Sequence, residues 1–140
     1  MAERFEFFEH TADIGVHVFG ATLEELFINA ARAMYAAFGK LEKSNIRDQK
    51  PLAIEAASLE DLLHDWLAEL LYEVETDHIL YDEFEFDELS PPRLSATLLG
   101  AEIDFEHSQP NPEIKAVTYH QLRVEQLPDS SWRATVIFDV

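Results

Sequence analysis

Three short polar clusters in this chain combine residue types and spacings that could do chemistry. The first, Glu9-His10-Thr11-Ala12-Asp13, is lodged between two apolar stretches, so it crowds a strand-to-strand connection of the kind on which sites are built. There Asp13 could ligate a cation and His10 could orient or relay a proton. Thr11 and Asp13 could equally bond the backbone of a turn. The second, Val136-Ile137-Phe138-Asp139-Val140, ends a β-type run in an acid. A hard divalent cation takes several oxygen ligands, and Asp139 with main-chain or terminal oxygens of Val140 could share calcium, magnesium or manganese with Asp13. A solvated tail is the alternative. The third is Ile114-Lys115-Ala116-Val117-Thr118-Tyr119-His120. Its Lys115 is one of only ten basic residues and could meet a phosphate or a partner's carboxylate. A lysine at a sheet edge also discourages aggregation.

Other histidines carry weaker patterns. His64 stands beside Asp61 and Asp65 at helical spacing, which a solvated charged face explains. His17 and His78 have no evident ligand partner.

Positioning these clusters requires a scaffold, and the hydrophobic pattern supplies one. Thr22-Leu23-Glu24-Glu25 and Ser58-Leu59-Glu60-Asp61 are both capping signatures, a hydroxyl residue followed three positions later by an acid. The first opens a helix over residues 22–39, with Leu23, Leu26, Phe27, Ala30, Met34 and Phe38 on one face and Gly39 at its end. The second opens a helix to residue 74 through Leu59, Leu62, Leu63, Trp66, Leu67, Leu70 and Leu71. Strand patterns occupy residues 5–9, 13–19, 46–56, 81–86, 94–105, 113–127 and 132–140, with Gly100 marking a bulge or bend. On the 113–127 strand, alternation sets Lys115, Val117, Tyr119 and Gln121 on one face and Ala116, Thr118, His120 and Leu122 on the other. The order of elements predicts a single α+β domain over residues 1–140, two amphipathic helices laid on a largely antiparallel sheet. A cation shared by Asp13 and Asp139 further requires the strand after the first cluster and the last strand to lie close, with their ends on the same side.

Composition narrows the function. With 140 residues, 47% of them hydrophobic, the chain can bury a core. Ten Lys+Arg against 28 Asp+Glu give a net charge of −18 at pH 7, which repels a phosphate backbone and an anionic membrane. No direct nucleic-acid or membrane partner is expected. The absence of cysteine excludes disulfides, thiolate metal sites and thiol nucleophiles. No apolar run approaches the roughly 18 residues of a membrane span, and a cytoplasmic location is expected. Four glycines, with no phosphate-cradling loop, argue against an independent nucleotide-using enzyme.

Taken in order, the clusters resemble the archease family. The residues that carry the resemblance are Glu9-His10-Thr11-Ala12-Asp13-Ile14-Gly15, the helix from Leu59 to Tyr72, His107, the stretch from Ile114 to His120, and Val136-Ile137-Phe138-Asp139-Val140. The match extends over essentially the whole chain. It implies an accessory protein, not an enzyme, that activates an RtcB-type RNA ligase in tRNA splicing and RNA repair. Such a protein promotes guanylation of the ligase and allows multiple turnover, while the ligase makes the bond. By the same resemblance Asp13 and Asp139 are metal ligands, with Val140 oxygens, and Lys115 is a functional basic residue beside them. His10 and His107 match recurrent family histidines. Two other classes compete: a general acidic protein-binding or chaperone-like module, and a stand-alone metal-dependent hydrolase with His10 as base.

Overall fold

The computed structural model describes residues 4–10, 13–110 and 114–140; of Glu9, His10 and Pro110 only the backbone is described. Strand β1 (Phe5–His10) runs antiparallel to β2 (Asp13–Gly20), from Phe5 opposite Val18 to His10 opposite Asp13. The alternation read in the sequence holds here: Val16 and Val18 are fully buried, with Ile14 packed at the core's edge. The chain then enters α1 (Leu23–Ala37), where the Thr22 hydroxyl accepts the Glu25 N–H at 3.1 Å. Gly39, at φ 86°, takes the left-handed conformation that ends a helix cheaply. It begins β3 (Gly39–Lys40), followed by β4 (Lys43–Glu55).

Helix α2 (Leu59–Tyr72) is capped in the same way, by the Ser58 hydroxyl on the Asp61 N–H at 3.1 Å. Acids in both first turns, Glu24 and Glu25, then Glu60 and Asp61, complement the helix dipoles. Instead of stopping at residue 74, the chain continues as a π-helical turn (Glu73–Asp77) and leaves it through His78 at φ 58°. Then follow β5 (Ile79–Ser90), β6 (Arg93–Ile103), β7 (Gln109–Pro110), β8 (Ala116–Val117), β9 (Arg123–Gln126) and β10 (Trp132–Asp139).

Among the described residues two helices and strands paired antiparallel make this the α+β fold expected, but the strands divide among three sheets. One has the order β1-β2-β10, with β8 and β9 both on the outer edge of β10; a second is β4-β6-β5; the third is the short β3-β7 ladder. The core lies between the helices and the inner faces of the two large sheets. At its centre Trp66 donates its indole N–H to the Phe27 carbonyl at 3.0 Å and meets the Phe84 ring edge-on at 4.9 Å.

Two expectations need correction. Of the strand expected over 113–127, the described residues 114–127 do not form one strand. Only Ala116–Val117 and Arg123–Gln126 pair with β10, and between them the chain turns out through Gln121 at φ 53°. Gly100 marks a bulge, but on its neighbour: the register of β5 shifts between Tyr81 and Glu83, beside Gly100. The β5 backbone comes so near that a Cβ at Gly100 would overlap the Leu80 carbonyl.

Candidate functional site

The ladder between β2 and β10 starts at Trp132 opposite Gly20 and ends at Asp139 directly opposite Asp13. Directly paired residues share a face of the sheet, with Cβ atoms roughly 4.5–5.5 Å apart. The two acids therefore stand side by side at one end of the sheet. They lie on its outer face, because the alternate residues Ile14 and Phe138 point into the core. Phe138 is fully buried, and Val140 packs against the core beyond it, so the register of this strand end is fixed by apolar anchors.

Lys115 joins the pair through the backbone. Its N–H donates to the Asp139 carbonyl at 2.8 Å, immediately before Ala116 pairs with Asp139 in β8. Its side chain is exposed, and a four-methylene stem gives the ammonium a wide reach. The backbone of His10 pairs with Asp13 across the β1-β2 ladder, while its side chain, with those of Thr11 and Ala12, lies outside the described residues. The structure thus brings Asp13, Asp139, Val140, Lys115 and the backbone of His10 to one sheet end.

His107 stands apart from that ladder, in the turn between β6 and β7. Its Nδ1 lies 2.7 Å from Asp104 Oδ2, and its N–H donates to Asp104 Oδ1 at 3.3 Å. The hydrogen bond from His107 holds the Asp104 carboxyl below the usual carboxylate range. Asp104, Glu106 and His107 offer ligand atoms within 4.8 Å of one another on an open turn.

Sequence reasoning passed over His64, which is largely buried. Its Nε2 donates to the Val117 carbonyl at 2.9 Å, its Nδ1 lies 3.0 Å from Asp65 Oδ1, and its ring stacks on Tyr119 at 3.9 Å. Partial burial, then the charges of Asp65 and Asp61, push the Tyr119 hydroxyl above its ordinary range. One residue of α2 thereby ties down the segment that carries Lys115. Its pattern of flanking acids carried no signal for this, since the partner lies 53 positions away. His17, which lacked a partner in the sequence, has one across the sheet: its Nδ1 lies 3.1 Å from the Thr135 hydroxyl.

Paired carboxylates are hard oxygen donors, so Asp13 and Asp139 suit a hard divalent cation, which main-chain oxygens could help complete. A neighbouring ammonium offsets the repulsion between two acids.

The sequence model of the Archease protein family matches residues 5–140. A protein archease of Methanosarcina barkeri is 37% identical over 142 residues, covering 99% of this chain and 97% of its own. One from Pyrococcus abyssi is 33% identical over 141 residues, covering 99% of each. The solution structure of Methanobacterium thermoautotrophicum protein 1598 is similar at a TM-score of 0.75 and 32% identity, over 98% of this chain and 99% of that one. The crystal structure of an archease from Thermotoga maritima, described as a possible chaperone, gives a TM-score of 0.69 at 25% identity, over 95% and 94%. With the whole fold and the terminal ladder on one side and full-length matches on the other, this chain belongs to the archease family.

Proposed function

We propose that the protein activates an RtcB-type RNA ligase in tRNA splicing and RNA repair, promoting guanylation of the ligase and multiple turnover, without joining RNA itself. The observation that carries this reading is the register that sets Asp13 across from Asp139 with Lys115 hydrogen-bonded beside them. A divalent cation, calcium, magnesium or manganese, would be held by Asp13 and Asp139 with oxygens of Val140. Lys115 would meet an anionic group of the ligase complex. A net charge of −18 suits approach to a basic nucleotide or RNA channel and opposes direct RNA binding.

The test is single-turnover guanylation of the cognate ligase with and without this protein. The wild type should accelerate it, and Asp13→Asn, Asp139→Asn and Lys115→Ala should each remove most of the acceleration while melting normally. No acceleration by the wild type would sink the proposal.

A second reading, a general chaperone-like module, draws on the description of the Thermotoga maritima relative. It predicts suppression of aggregation of unrelated clients that does not depend on Asp13.

A further inference from the structure

The outer face of the first sheet carries a second feature, some 13 Å along the strands from the carboxylate pair at about 3.3 Å per residue. His17, Thr135 and Arg123 lie in one row across β2, β10 and β9, and Arg133 pairs with Glu125 two residues along β10 on the same face. With Gln121 from the turn before β9, they line an open groove of about 470 Å³, within the size range of small-ligand sites. Gly15, covered by the Phe8 ring, and the buried Ile137 opposite it separate this groove from Asp13 and Asp139.

Its chemistry runs against the rest of the molecule. Two arginines converge here in a chain of net charge −18, with a single acid, Glu125, among the groove-lining residues. That acid does not satisfy them both. Arg133 Nε is buried and 3.7 Å from Glu125 Oε1, beyond hydrogen-bond range, and it has no acceptor among the described residues. Arg123 Nη2 lies 3.4 Å from Glu125 Oε2. A buried donor without an acceptor is costly; the Arg133 side chain as a whole is 40% exposed, and a turn of its guanidinium toward an oxygen ligand in the groove removes the cost. His17 holds its Nδ1 on Thr135, which fixes the ring at the groove wall.

From these observations we infer a binding site for a compact phosphate-class oxyanion, held by the guanidinium groups of Arg133 and Arg123 with His17 and Gln121 at its walls. Guanidinium forks pair with tetrahedral oxyanions through two parallel hydrogen bonds. The surrounding negative charge excludes an extended polyanion, so the ligand is a single phosphoryl group, either free phosphate or the phosphate of a mononucleotide. The site shares no side chain with the carboxylate pair and stands whether or not the ligase reading does.

Titration of the isotope-labelled full chain with inorganic phosphate and with adenosine 5′-monophosphate, read by NMR, tests it. Saturable shifts should appear at the Arg133 Nε–H and at the amides of His17, Gln121 and Arg123. Arg123→Gln, at an exposed side chain, and Arg133→Gln should each weaken binding by about tenfold or more, as loss of a charged hydrogen bond does. Glu125→Gln should tighten it, because the competing carboxylate is gone. Lys40→Gln, which removes a positive charge elsewhere, should change nothing. Tighter binding of the nucleotide, with added shifts at Leu122, assigns the phosphoryl group to a nucleotide; equal binding assigns it to free phosphate. The inference is overturned if neither probe shifts the groove residues saturably, if both arginine variants bind like the wild type, or if Lys40→Gln weakens binding as much as they do.

Discussion

Two acids set directly across an antiparallel ladder repel each other, and a cation held between them turns that repulsion into attraction. Asp13→Asn should therefore abolish any rise in Tm on adding calcium or magnesium. Melting curves with chelator and with each cation decide this; an undiminished calcium effect in the variant would place the ion elsewhere. Glu73 is a residue of the opposite kind, an acid whose side chain is only 1% exposed although its partner Lys50 is 36% exposed. Burial raises its carboxyl above the usual range, and the hydrogen bond from Lys50 only partly offsets this. A raised folded value means that the folded state holds the proton more tightly than the unfolded chain. The contribution of this group is then greatest below the unfolded value of 4.5 and is lost as pH rises through the folded value. Glu73→Gln, which mimics the protonated form, should gain on the wild type as pH rises from about 4 to 7. Urea titrations at the two ends of that range measure the gap, and a gap that shrinks with pH would contradict the assignment. Lys50→Met should cost roughly 1–3 kcal/mol at neutral pH, because it takes a partly exposed ammonium away from a buried carboxylate.

At the scale of the element, the two helices and most strands were legible because capping pairs and hydrophobic periods are local signals. Thr22 and Ser58 cap where an acid three residues on predicts it. The exit at Gln121 was not legible. Alternation continues through residues 114–124, and the left-handed residue that breaks the strand is a glutamine, not the glycine or asparagine that would announce a turn. What divides β8 from β9 is tertiary: His64 of α2 grips the Val117 carbonyl and stacks on Tyr119. His64→Ala should accordingly reduce ligase activation while α2 stays folded, since it frees the backbone that carries Lys115. Far-UV dichroism paired with guanylation rates would show it, and full activation would make His64 a packing residue alone. Gly100 gave a correct signal on the wrong strand, because a glycine that admits a neighbour's bulge looks in sequence like a bulge of its own. Gly100→Ala should destabilise by about 1–3 kcal/mol, the overpacking range, since backbone and not a flexible side chain stands in the way. Wild-type denaturant midpoints for this variant would show that β5 yields.

Across the whole molecule, charge and topology act together. At −18 the chain repels itself and is drawn to basic partners, so added salt should raise Tm and slow association with the ligase. Stopped-flow association between about 0.05 and 0.5 M NaCl, where the Debye length falls below roughly 10 Å, should show a falling on-rate; a flat profile would remove steering from the account. Acidity was legible at once from composition. The assembly of the outer sheet face was not, because Arg123, Arg133 and His17 meet only through the register of three strands, and register is set by buried residues such as Val16, Val136 and Phe138. The same register has a consequence in time. Strand β2 finds its partner β10 only after more than a hundred further residues have been made, which at about 5–20 residues per second is on the order of ten seconds on the ribosome. Throughout that interval the nascent chain presents an unpaired backbone edge, flanked by the apolar side chains of Val16 and Val18, to a crowded surrounding. Expression yield should thus depend on translation speed through the stretch between them, and synonymous codons that slow it should increase the insoluble fraction without altering a single residue.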